Sequence, residues 1–420
     1  MAFVFAFQGI YYNPEKFPNL TPLVTPPYDI ISPEEQEKYY QLHENNFIRL
    51  ELGKILPGDN STANRYTRAK GYLESWLEKG VLVKETTPAI YLLEENFTWN
   101  GQSFKRQSIF TSVKVEPYEK GVILPHENTL PKAKEDRLNL LRETKVNTSP
   151  IMALYDDKQN TAFSTLKQRA ILMFEFTDES GRLNKFYKIA NPETIQKVQD
   201  YFKSQKLFIA DGHHRYDTAL TYAREMEKRG INAYRILVQL IPFSDPGLLV
   251  LPTHRIVQKA LISAAELLEK IQLFFIIEEL PVNAIIDRFF ELKEKYVYGM
   301  CLKDKAFLLR LKTNDPADLL PDLPEVISRL PVTVLHELVL KAAGIGEKET
   351  LSGEYLKYTR DAQDCLQEVL EGKASYSFLV PAPTAEAVAN VALLGNKMPQ
   401  KSTYFYPKPL SGLVIHSVHD

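Results

Sequence analysis

The stretch KLFIADGHHRYDTAL, Lys206 to Leu220, decides how the chain is read. An apolar run leads into Asp-Gly and then into residues with helical spacing, which predicts a strand, a sharp turn and a helix start. Its polar chemistry sits at the turn, in Asp211, His213, His214 and Arg215. Gly212 permits close backbone approach there, and the start of a helix favours an anion. Upstream, IMALY, AILMFEF and KFYKIA read as strands and PETIQKVQDYFKS as a helix. Downstream, a helix ends near Lys228 and YRILVQLI is a further strand. The 24 residues between Ala210 and Arg235 suit a strand, helix, strand crossover. Ligands bind where such strands end and helices begin.

Working outward, MAFVFAFQGIYYNP has no basic leader or cleavage site and reads as a first strand. In TPPYDIISPEE, Ser32, Pro33 and Glu35 form the pattern of an N-cap, an N1 proline and a capping-box acid, so a helix begins at Pro33. A second helix, Ala63 to Lys79, carries Tyr66, Ala69, Tyr72, Leu73, Trp76 and Leu77 on one face and stops at Gly80. Asn100-Gly101 between two apolar runs predicts a two-residue hairpin. Beyond His254 helices and strands alternate to the end. The expected class is α/β (α+β), with mixed sheets around a central strand-DGHHR-helix unit. Three segments are expected: an α+β region with a hairpin at 1–120, a central unit with HEN and DGHHRY at 121–260, and an α/β region at 261–420 whose KST loop returns to the cleft.

Composition narrows the function classes. At 420 residues the chain holds two or three domains of roughly 150 residues each, or one elaborated body. With 51 basic and 53 acidic residues it offers no extended nucleic-acid surface. No apolar run approaches the roughly 18 residues of a membrane span. Cys301 and Cys365 are too few for a disulfide framework and read as core residues in a reducing compartment. A soluble, cytoplasmic protein is expected, its oligomeric state left open.

At DGHHRY, Asp211 can cap the helix or hold a magnesium ion. Arg215 can take a phosphate in bidentate fashion, and His213 or His214 can donate to it or move a proton. A plain Asp cap with surface histidines and a salt-bridging arginine is the bland alternative, but a cap needs one polar residue and four are concentrated here. Adjacent histidines at a helix start point about 100° apart, so one ion rarely takes both. In LPHENTLPKAKEDRLNLLRETKVNTSP, Leu124 to Pro150, His126 and Glu127 lie in a proline-stiffened loop that suits a general base or phosphate site. Asp136 to Lys145 reads as a solvated amphipathic helix with Leu138, Leu140 and Leu141 inward. In GNKMPQKSTYFYPK the spacing of Gly395, Lys401 and Ser402 is that of a phosphate loop, but Gln400 stands at the second glycine position, so it is not a Walker motif. Lys401, Ser402 and Thr403 can still hold phosphate. His254, beside Arg255, is either a structural histidine or a further ligand contact.

The strings PPYDIISPEE, NFIRLELG, LPHENTLPKAKEDRLNLLRETKVNTSPI, IADGHHRYDTALTY, DPGLLVLPTHRI and MPQKSTYFYPKPLSGLVI resemble, nearly end to end, an uncharacterised and mainly bacterial domain-of-unknown-function family. More remotely, DGHHR is similar to the box of the ParB/sulfiredoxin superfamily, including its free serine kinase branch. That resemblance implies a box, Asp211 to Arg215, that opens a helix and contacts nucleotide phosphates. The sulfiredoxin cysteine is absent, a histidine standing in its place, and Glu127 is the candidate for the kinases' upstream glutamate.

The leading expectation is a magnesium- and nucleotide-dependent enzyme, using ATP or ADP, that moves a phosphoryl group to a small hydroxyl compound. Asp211 would hold magnesium, Arg215 the phosphate, His213 or His214 the transferred charge, and Glu127 or His126 the hydroxyl proton. The alternatives are a nucleotide-binding switch without turnover and a phosphate-ester hydrolase.

Overall fold

The computed structural model describes residues 1–129, 131–292, 294–399 and 401–419, so Gln400 lies outside the described residues. The chain forms two compact units, one of residues 1–249 with 407–420 and one of residues 250–406. The border expected near 120 falls within the first unit, and the one expected near 260 falls beyond the 249/250 border.

The first unit begins with β1 (Val4–Phe5), β2 (Ile10–Tyr12), α1 (Pro33–Leu42), α2 (Ile48–Glu51), α3 (Arg65–Glu78), β3 (Leu82–Lys84), β4 (Ile90–Trp99) and β5 (Gln102–Lys114). The Ser32 hydroxyl accepts the Glu35 N–H and the Glu35 carboxylate accepts the Ser32 N–H, the reciprocal box that starts α1. Asn64 caps α3 in the same way with Thr67. Asn100 and Gly101 take φ of 46° and 75°, with Trp99 opposite Gln102, as a two-residue hairpin requires.

Next come β6 (Ile123–Leu124), α4 (Pro131–Thr144), β7 (Val146–Asn147), β8 (Ile151–Tyr155), α5 (Thr161–Lys167), β9 (Ile171–Thr177), β10 (Leu183–Ile189), α6 (Pro192–Phe202), β11 (Leu207–Asp211), α7 (His213–Glu227) and β12 (Arg235–Pro242). The main sheet has the order β6-β11-β8-β12-β5-β4-β10-β9, with β1 also on β5. Both faces are covered. Ile90 and Leu92 of β4 share a core with Phe163, Leu166, Val198, Phe202 and Tyr216 of α5, α6 and α7. Tyr91 and Leu93 face the other way, into a core with Leu73 and Trp76 of α3.

The crossover expected between β11 and β12 is corrected. β8 lies between them, antiparallel to β11 and parallel to β12, so α7 joins two antiparallel strands. All five residues of β8 are buried, which calls for a central place in the sheet with cover on both faces. The arrangement sets the end of β11 beside the start of β8. Its register shifts between Ile209 and Asp211, and such irregularities re-aim side chains.

The second unit begins within β13 (Leu249–Leu251). It contains β14 (His254–Val257), α8 (Ala264–Ile271), β15 (Phe275–Leu280), α9 (Ile285–Glu291), β16 (Val297–Cys301), β17 (Ala306–Leu311), α10 (Glu325–Ser328), α11 (Pro331–Val334), a π-helical turn over Leu335–Leu340, α12 (Glu347–Ser352), β18 (Leu356–Thr359), α13 (Ala362–Leu370), β19 (Tyr376–Leu379), α14 (Ala385–Leu393) and β20 (Tyr404–Tyr406). Its antiparallel sheet runs β15-β17-β16-β19-β14-β18 between two apolar cores. Cys301 and Cys365 are buried in one of them, as core residues. After β20 the chain rejoins the first unit. There Ser411 bridges Thr25, Ile415 bridges Ile10, and β21 (His416–Ser417) pairs with β7. No described helix is long and apolar enough to cross a membrane.

Candidate functional site

At the end of β11, Gly212 turns the chain with φ of 89° and α7 starts at His213. The HEN loop after β6 lies against this turn. The His126 ring Nδ1 donates to the Ile209 carbonyl at 2.8 Å, and the His126 backbone N–H donates to His213 Nε2 at 3.3 Å. These bonds assign both tautomers: the carbonyl requires a proton on His126 Nδ1, and the accepting Nε2 of His213 leaves its proton on Nδ1. The two rings meet edge to face with centroids 4.6 Å apart, and Glu127 Oε1 lies 3.9 Å from His126 Nε2. His126 and His213 are buried, while Glu127 and His214 are half-buried. One turn along α7, Asp217 accepts from the Tyr118 hydroxyl at 2.6 Å and the Thr129 hydroxyl at 2.5 Å, which ties the HEN loop to the helix. Two histidines read from separate stretches thus occupy one corner, at the positive end of the α7 dipole.

Asp211 is the last residue of β11 rather than a helix cap; the N-cap is Gly212. Its carboxylate accepts from Arg215 at 2.6 Å and pairs with Lys408. Burial opposes the charged form, but Lys408 and Arg215 outweigh it and hold the carboxyl below the usual range. Arg215 is buried as well, and its other terminal nitrogen donates to the Pro150 carbonyl just before β8. The Arg215 Nε lies where a side chain on Gly212 would begin, 2.9 Å from an ideal Cβ. A hard cation needs several oxygen ligands. The Asp211 carboxylate is already committed to two cations, and no cluster of three His, Cys, Asp or Glu suited to a metal occurs among the described residues. This donor set does not fit magnesium on Asp211. Arg215 donates through its terminal nitrogens to Asp211 and Pro150, while its buried Nε has no hydrogen-bond partner among the described residues.

A second polar group lies behind Arg215. Glu51, fully buried at the end of α2, accepts from the Ser149 hydroxyl at 2.9 Å and the Tyr28 N–H at 3.3 Å. Arg137 of α4 donates to the Glu51 carbonyl at 2.9 Å, pairs with Asp136, and lies 3.9 Å from the centroid of the Tyr28 ring. Arg137, Ser149, Arg215 and Thr218 line a cavity of about 30 Å³, room for one or two waters. The solvated-helix expectation therefore misses Arg137, which is buried.

His254, Lys401, Ser402 and Thr403 belong to the second unit. His254 is buried on β14, where its Nδ1 accepts the Val380 N–H at 3.0 Å. Burial first, then the Arg255 charge, pushes its pKa down to about 4. The Lys401 carbonyl accepts from Arg255 at 3.3 Å, the buried Ser402 hydroxyl donates to the Pro399 carbonyl, and Thr403 is half-buried. The C-terminal lysine at Asp211 is Lys408, which no local signal in YPKP marks.

No curated protein matches the chain. It is remotely similar to several solved structures. They include a conserved hypothetical protein from Pyrococcus furiosus, at 14% identity over 71% of this chain and 92% of that one, with a TM-score of 0.36. Another is a free serine kinase in complex with AMP, at 14% identity, 70% and 86% coverage and a TM-score of 0.37. A third is SbnI with a C-terminal truncation from Staphylococcus aureus, at 13% identity, 72% and 85% coverage and a TM-score of 0.38. The model of the DUF1015 family, proteins of unknown function, matches residues 4–333, and the chain belongs to that family.

Proposed function

We propose that the first unit is a phosphoryl-transfer enzyme that takes the phosphoryl group from a nucleotide, ATP or ADP, and gives it to a small hydroxyl compound. The observation that supports this reading is the His126–His213 corner. It sets two histidines of fixed tautomer and the Glu127 carboxylate at the N-terminal end of a 15-residue helix. Phosphoryl transfer needs positioning and charge stabilisation more than covalent chemistry by the protein. In this reading the start of α7 and the first-turn residues His213 and His214 hold the phosphate charge. His126 with Glu127 takes the proton of the acceptor hydroxyl. Asp211, Arg215 and Lys408 are positioning residues that fix the β11 end and the turn. No step is assigned to a metal on Asp211.

The test is prolonged incubation of the full chain with ATP or ADP, with and without magnesium, against a panel of small hydroxyl compounds, followed by mass spectrometry of the products. A phosphorylated acceptor whose formation collapses in His126→Gln is the expected result. Nucleotide binding without any product would instead make the protein a switch, and phosphate release to water alone would make it a hydrolase. Neither binding nor product would end the phosphoryl-transfer reading.

A further inference from the structure

Of the five buried arginines among the described residues, four have a carboxylate partner: Arg106 with Glu95, Arg182 with Glu95 and Asp178, Arg137 with Asp136, and Arg215 with Asp211. Arg255 has none among the described residues. Only 1% exposed on β14, it donates through Nε to His336 Nε2 at 3.3 Å, and through its terminal nitrogens to the carbonyls of Thr253 and, at 3.3 Å, Lys401. Its guanidinium carbon lies 5.2 Å from the centroid of the Tyr358 ring. These partners satisfy its hydrogen bonds and leave its charge uncompensated. Packing around the His336 ring, then the Arg255 charge, pushes the His336 pKa down to about 3, so that ring is a neutral acceptor. Burial pushes Arg255 itself down to about 10, which leaves it cationic at neutral pH. An uncompensated buried charge costs several kcal/mol in general, and proteins bury charges with partners.

Three further features lie around Arg255. Lys401, whose carbonyl Arg255 grips, has φ of 56°, uncommon for a residue with a side chain, and its side chain is exposed. Arg360 lies 4.0 Å over the ring of Tyr404, just past the same loop. His336 stands on the π-helical turn, a local widening that recurs at functional sites. Asp361 acts on neighbouring His254, yet it forms no pair with Arg255.

We propose that the second unit binds a phosphate-class oxyanion, free or as the end of a nucleotide, where Arg255 meets the Lys401–Thr403 loop. This site is separate from the His126–His213 corner and does not depend on phosphoryl transfer there. Arg255 supplies the buried charge behind the loop, and the exposed Lys401 supplies the outer contact.

The experiment is calorimetric titration of the full chain with orthophosphate, pyrophosphate, AMP and ATP in a phosphate-free buffer. Saturable binding of at least one probe is expected, with a component weakened roughly tenfold or more by Lys401→Gln and further reduced by Arg255→Gln. Orthophosphate binding as tight as ATP identifies a free anion as the ligand, and binding of ATP alone identifies a nucleotide end. If Arg255→Gln fails to fold, the exposed Lys401 variant decides. No saturable binding by any probe, or saturable binding of which no component responds to Lys401→Gln, would overturn the proposal.

Discussion

Asp211 and Lys408 stand 197 residues apart in sequence and form one buried ion pair, with Arg215 as its third member. Lys408→Met removes one of the two cations on Asp211 and leaves the Arg215 pair in place. It should therefore destabilise the first unit by about 1.5–3 kcal/mol, the range for a hydrogen bond to a charged group. Urea unfolding of Lys408→Met, Asp211→Asn and the double variant checks this, and the double variant should lose clearly less than the sum. A Lys408→Met protein as stable as its parent would show that the pair does not hold the returning segment.

Gly212 is constrained twice. Its φ of 89° is left-handed, and an ideal Cβ would stand 2.9 Å from Arg215 Nε and from Ile151 Cγ2. Gly212→Ala should cost roughly 1–3 kcal/mol in chemical unfolding. Gly101→Ala is the control: its φ of 75° is also left-handed, but nothing lies within 4 Å of its Cβ, so strain acts there without the clash. Equal losses at the two positions would mean that the approach of Arg215 contributes nothing.

Glu127 and His126 carry the proposed proton transfer, so Glu127→Gln and His126→Gln should each lower turnover by roughly 10²–10⁴-fold while nucleotide affinity stays nearly constant. Arg215→Ala should behave differently, losing stability because Asp211 keeps only Lys408 and the Pro150 carbonyl loses its donor. Single-turnover rates measured beside binding and unfolding separate the two outcomes. Turnover left intact in both the Glu127 and His126 variants would move the base elsewhere.

His254 predicts a pH dependence for the second unit. Its folded pKa of about 4 lies below the ordinary histidine value of 6.5. Between those values the unfolded chain binds a proton that the folded unit refuses, so stability falls as pH drops through that window. Going from pH 7 to pH 5 should cost about 2 kcal/mol from this residue alone. The slope measured by urea unfolding should fall to roughly half in His254→Gln, the remainder coming from His336, whose pKa is also pushed down, to about 3, and an unchanged slope would assign the effect to other groups.

Local signals were legible wherever a few consecutive residues decide the outcome. The Ser32–Glu35 box, the Asn100-Gly101 hairpin and the strand-turn-helix of IADGHHRY all form where the sequence places them. His126 and His213 also stand out in the sequence, each among concentrated polar residues beside Pro or Gly, and the fold brings them together. What the sequence hides is pairing at a distance. Nothing in IMALY says that β8 slips between β11 and β12, because an apolar run fits any buried strand slot. Arg137 and Glu51 look like surface charges on helices, and only the folded chain buries them together. Lys401 drew attention by its spacing, while Lys408, without a motif, reaches Asp211.

The return of residues 407–420 to the first unit also fixes an order of events during synthesis. When Leu249 has left the ribosome, the β11 end, its buried carboxylate and Arg215 are already made, but the second cation on that carboxylate, Lys408, is not. At 5–20 residues per second, the interval before Pro407 emerges is roughly 10–30 s. Over that time Asp211 has Arg215 as its only cation from this trio, and strands β2 and β7 await their C-terminal partners. The nascent first unit therefore spends its most aggregation-exposed period with its charge centre and two strand edges incomplete, a window in which a chaperone or a bound anion would act on the yield of folded protein rather than on its final stability.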